Sequence, residues 1–65
     1  MIKFDLIRFM SITRLTVRDI SEKYAVSERS LSTYKSENDI SVKLARLFKK
    51  DFPIIYSKCL LDDIG

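Results

Sequence analysis

Sixty-five residues make one domain at most, and a chain this short buries only about 60% of the surface its unfolded form exposes, so help from a partner subunit is expected. A single cysteine, Cys59, excludes an internal disulfide, and the absence of histidine excludes a zinc site of the usual ligand sets. Twelve lysines and arginines against nine acids give a net charge of +3, a basic lean compatible with nucleic acid but not diagnostic of it.

No apolar run reaches the length of a membrane span, and Asp5 interrupts the apolar N-terminal stretch where a signal peptide would need continuity. The expectation is a protein of the reducing cytoplasm with no membrane partner. One glycine and one proline argue against tight hairpins and for helices joined by polar caps. The fold class expected is therefore all-α, a compact bundle of about five helices forming one domain over residues 1–65.

In chain order, MIKF alternates apolar and polar residues and reads either as a short strand or as the start of a helix. Asp5 is an N-cap for LIRFMSIT, which sets Leu6, Phe9, Met10 and Thr13 on one helical face. Arg14 and a buried Leu15 link this helix to the next. Thr16 and Asp19 form a capping-box variant, and Val17, Ile20 and Tyr24 are the apolar anchors of the second helix. Ala25 stands at the bend, Val26 fills the angle, and Ser27 caps a third helix beginning at Glu28.

The stretch Thr16–Lys35 thus reads as two short helices joined by a tight turn, the pattern of a helix-turn-helix. At 100° per residue, Tyr34 and Lys35 fall within about 60° of Leu31, which points Leu31 and Tyr34 inward. Arg29, Thr33 and Ser36 then occupy the opposite pole, with Ser32 on the flank and Glu28 at the exposed N-terminal end. An outer face of such short, polar or forked side chains is what base edges in a major groove require of a helix. Arg18 reads either as a contact to the sugar-phosphate backbone or as a solvated arginine.

Ser36–Asp39 is a polar break in which Asn38 can take the left-handed conformation. Asp39 or Ser41 caps the segment VKLARLFKKDF. As a helix this segment offers Leu44, Leu47, Phe48 and Phe52 to the core. Lys43, Arg46 and Lys50 form a basic stripe, either a solvated face or a row of phosphate contacts. The alternative reading is a β-hairpin turning at Lys49–Asp51 that makes the wing of a winged helix-turn-helix. ARLF, Pro53 and the missing turn glycine favour the helix.

Pro53 suits the first position of a last helix, IIYSKCLLDDI. Apolar residues surround almost its whole circumference, so residues 53–64 are expected to dimerise two copies through Ile55, Tyr56, Cys59, Leu60 and Ile64. No catalytic constellation is present: histidine is absent, Cys59 lies in an apolar run, and the single glycine, Gly65, leaves no phosphate-cradling loop. The expectation is no enzyme, no cofactor, no metal and no small-molecule ligand.

The run LTVRDISEKYAVSERSLSTY resembles the helix-turn-helix of the lambda repressor and Cro superfamily, and among small phage regulators it is similar to the Ner type. The resemblance covers roughly Leu6 to Phe52. Val17 stands where such proteins carry a glutamine that helps to grip a phosphate, and Ala25 stands where they carry a glycine. The resemblance implies a phage, plasmid or mobile-element setting. Together these readings predict a sequence-specific transcriptional regulator, a repressor acting as a homodimer on an operator in double-stranded DNA. Glu28, Arg29, Ser32, Thr33 and Ser36 would meet bases, and Thr16, Arg18, Ser27 and Lys35 would meet phosphates. Two alternatives are an excisionase-like architectural protein and a module that binds a protein partner, as an inhibitor or antitoxin does.

Overall fold

Polar side chains at the expected positions set where the helices begin. The Asp5 carboxylate accepts from the Arg8 amide, Thr16 and Asp19 form both hydrogen bonds of a capping box, and Ser27 and Ser41 accept from the Ser30 and Leu44 amides. Each bond satisfies an amide that the first helical turn would leave without a partner. The computed structural model describes residues 1–62. The order is β1 (Ile2–Phe4), α1 (Leu6–Thr13), α2 (Val17–Tyr24), α3 (Glu28–Glu37), β2 (Asp39–Ile40), α4 (Val42–Asp51), α5 (Pro53–Cys59) and β3 (Leu60–Asp62).

Three helices end in left-handed residues, and none of these is glycine: Arg14 (φ 62°), Ala25 (φ 57°) and Asn38 (φ 56°). Asn38 tolerates this conformation through its short polar side chain, whereas Arg14 and Ala25 carry a Cβ into a region that costs an L-residue about 1–2 kcal/mol. Phe52 serves as both the last cap of α4 and the first cap of α5 (φ −136°, ψ 64°). Pro53 follows it at the first position of α5, and a residue before proline is driven out of the α region, so the chain breaks there.

The all-α expectation needs correction. The chain is mostly helical, with five helices among the described residues, but it also holds a three-stranded antiparallel sheet in the order β2-β1-β3. The N-terminal strand lies in the middle, with Ile2 opposite Ile40 and Lys3 opposite Asp39 on one side, and Phe4 opposite Leu60 on the other. Backbone bonds from the Phe4 amide to the Asn38 carbonyl and from the Asp5 amide to the Cys59 carbonyl, each 2.9 Å, extend the pairing. Of the two readings of MIKF the strand is the one observed, as β1, whereas β2 and β3, of two and three residues, carry no alternation long enough to register. The β-wing alternative is also corrected, because Lys49–Asp51 lies inside α4 and the strands come from three separate places. The last helix is shorter than expected: it ends at Cys59, and Leu60–Asp62 continue as β3.

Phe4 organises the core from this central strand. Its ring lies 5.4 Å from Phe9, 5.8 Å from Phe48 and 5.3 Å from Tyr56, and Phe9 stacks on Phe48 at 4.2 Å. Leu6, Ile20, Leu31, Ile40 and Leu44 complete a fully enclosed cluster. Helix α5 packs on α1 and α4, and α3 packs on α2, α1 and β2. One hydrogen bond ties α2 to the far end of α4: the Tyr24 hydroxyl donates to Asp51 Oδ2 at 2.7 Å. Burial, followed by this bond and the Asp51 charge, raises the Tyr24 pKa well above the usual phenol value. Lys23 Nζ sits 5.6 Å from the ring centres of both Tyr24 and Phe52, within cation–π range.

Candidate nucleic-acid interface

Helices α2 and α3 are joined by three residues, Ala25, Val26 and Ser27. Ala25 reverses the chain through its left-handed backbone, and partly buried Val26 packs against the core. Ser27 then starts α3, its hydroxyl accepting from the Ser30 amide at 3.1 Å and donating to the Ser30 hydroxyl at 2.9 Å. Leu31 is the buried residue of α3, and Tyr34 packs partly buried one turn later. These two side chains hold α3 by one stripe and fix which residues face outward.

The outward residues are Glu28, Arg29, Ser32, Thr33, Ser36 and, at the last turn, Glu37, and every one is exposed. From Arg29 to Ser36 they span about 10 Å of helix at 1.5 Å per residue, a length that fits along a major groove about 12 Å wide. The Thr33 hydroxyl donates to the Arg29 carbonyl at 3.2 Å, which leaves its lone pairs facing outward. The Arg29 guanidinium is the one multidentate cation on this face.

The four residues expected at phosphates are placed less uniformly. Thr16 is exposed, but its amide donates to Asp19 Oδ2 at 2.9 Å and its hydroxyl oxygen accepts from the Asp19 amide, so its polar groups are engaged within the capping box. The two bonds from Thr16, the amide first, hold the Asp19 carboxyl below the usual carboxylate range. The Arg18 Nε lies 3.4 Å from Glu22 Oε2, with the two side chains 79% and 70% exposed. An exposed pair of this kind contributes about 0–1 kcal/mol and opens readily for a competing anion. The Ser27 hydroxyl proton is directed to Ser30. Lys35 is partly buried on the Leu31 side of α3, away from the outward pole.

Charge on this unit balances. Arg18, Lys23, Arg29 and Lys35 are matched in number by Asp19, Glu22, Glu28 and Glu37, so α2, the turn and α3 together are neutral.

The expected dimer surface requires a correction. Cys59 is 1% exposed and belongs to the chain's own core, where burial raises its thiol pKa. Ile55, Tyr56 and Leu60 are partly buried against the same core. Ile64 lies outside the described residues. The apolar side chains that this end of the chain leaves exposed are Ile54 (71%) and Leu61 (55%). The sequence reading expected α5 to pack partly on its own core and partly on a partner; Cys59 falls on the core side, where α1 and α4 pack against α5.

Among the described residues no three or more of His, Cys, Asp and Glu cluster as a metal site, and no helix is long and apolar enough to cross a membrane. The chain matches no family model, no curated protein and no solved structure in the three comparisons made.

Proposed function

We propose that this protein is a sequence-specific DNA-binding regulator that inserts α3 into a major groove and represses transcription by occupying its site. One observation carries the reading. The outward face of α3 presents Glu28, Arg29, Ser32, Thr33 and Ser36, all exposed and all able to hydrogen-bond base edges, with Glu37 at its last turn, on a helix held from behind by Leu31 and Tyr34. The three-residue turn from α2 and the pattern of LTVRDISEKYAVSERSLSTY support the same reading.

In this reading Arg29 is the main discriminating side chain, paired with a guanine. Duplexes selected from a random pool supply the site, and titration by fluorescence anisotropy supplies the affinity. Arg29→Ala should weaken specific binding by about 1–3 kcal/mol and relax the preference at one base pair. An unchanged affinity would remove Arg29 from the readout, and failure to enrich any sequence would remove the proposal. Presentation of two α3 helices to a palindromic site calls for a homodimer, for which Ile54 and Leu61 are the exposed large apolar side chains of α5 and β3. Sedimentation should show a dimer that Ile54→Asp splits; a wild-type monomer at micromolar concentration would rule out pairing.

The neutrality of the α2–α3 unit favours a second reading, in which this face binds a protein. A partner retained by a variant with Arg18, Arg29 and Lys35 all changed to alanine, with no duplex bound by the parent, would select it.

A further inference from the structure

The excess positive charge of this protein has one location. Helix α4 holds four of the twelve cations, Lys43, Arg46, Lys49 and Lys50, and one of the nine acids, Asp51. The rest of the chain holds eight of each, so the formal charge of +3 resides in α4 alone. Asp51 sits at the end of the helix and accepts the Tyr24 hydroxyl proton, which turns it toward α2. Among the described residues no acid lies within ion-pair distance of any of the four cations.

Their arrangement is linear. Leu44, Ala45 and Phe48 fix the buried side of α4. At 100° per residue Lys43, Arg46 and Lys50 fall within about 60° of one another around the opposite pole. All three are exposed, and they follow the helix axis for about 10 Å.

Building on the DNA-binding reading, we propose that this α4 stripe is a second interaction surface that grips the phosphate backbone of duplex DNA regardless of sequence. The division of labour follows from charge. A neutral α2–α3 unit supplies no net long-range attraction to DNA, whereas a row of three cations neutralises phosphates and adds sequence-independent affinity. A linear polyanion also suits a linear row of cations. An anionic membrane fits less well, because a helix lying on a membrane must bury its apolar face in lipid, and the apolar face of α4 is enclosed in the protein core.

The test compares wild type with a variant carrying Lys43→Gln, Arg46→Gln and Lys50→Gln, and with Arg29→Ala, on duplexes of selected and unrelated sequence across a salt series. Circular dichroism confirms that each variant is folded. With about 0.9 of slope per phosphate, the stripe variant should flatten the plot of log affinity against log salt by about 2.7. Wild type should therefore lose about 40-fold more affinity than the stripe variant between about 50 and 200 mM salt. The stripe variant should still prefer the selected sequence, and Arg29→Ala should show the reverse pattern. A slope unchanged by the stripe substitutions, with wild type still binding, overturns this inference and leaves the α3 reading standing. The same result accompanied by lost co-sedimentation with phosphatidylserine vesicles assigns the stripe to membranes instead. Wild type that binds no duplex at any salt refutes the α3 reading itself.

Discussion

Helices α3 and α4 are both ten residues long and both start from a serine cap, yet their outward surfaces differ. Helix α4 buries Leu44, Ala45 and Phe48, and its outward side is dominated by Lys43, Arg46, Lys49 and Lys50, beside an exposed Val42 and the terminal Asp51. Helix α3 buries Leu31 alone, and its outward side mixes two acids, one arginine and three hydroxyls. A helix that must discriminate needs varied hydrogen-bonding groups, whereas one that supplies general attraction needs only charge. Their anchoring differs in the same sense. Helix α4 meets the aromatic centre through Phe48, which lies against Phe4, Phe9 and Tyr24, while α3 gives the buried core Leu31 alone.

The largest expected effect tests that difference in anchoring. Phe48→Ala should cost about 3–5 kcal/mol, enough to unfold most of a small domain at room temperature. Leu31→Ala should cost less, about 2–3 kcal/mol, because it removes a smaller side chain and leaves a smaller vacancy. Urea denaturation measures both, and a larger loss at Leu31 than at Phe48 would reverse the picture of α4 as anchor and α3 as presenter. A smaller effect sharpens the comparison at the caps. Ser27→Ala and Ser41→Ala should each cost about 1 kcal/mol. Hydrogen exchange should place the Ser27 loss locally, in the first turn of α3, and spread the Ser41 loss over the whole protein. Equal and global losses from both would mean that α3 is as deeply integrated as α4.

Much of the helical framework was legible because its determinants are local. Asp5, Thr16 with Asp19, Ser27 and Ser41 each act within one turn, and Asn38 and Pro53 act through their own backbone preferences. The outward face of α3 was legible for the same reason, since Leu31 and Tyr34 fix it by periodicity. The sheet was not, because pairing Ile2 with Ile40 and Phe4 with Leu60 joins positions that no local pattern links. The bond from Tyr24 to Asp51 spans 27 positions and was equally invisible. Cys59 was assigned to a partner surface because the strand that covers it begins at residue 2, at the other end of the chain. The Arg18–Glu22 pair was readable from its four-residue spacing, but its competition with phosphate depends on side-chain placement.

The central claim, that α3 reads DNA sequence, is tested most directly by following backbone amide resonances while a duplex is added. The account predicts that amides of Glu28–Ser36 shift strongly with a selected duplex and weakly with an unrelated one. Absence of any shift in α3 with the selected duplex, or changes confined to α5 and β3, would contradict it.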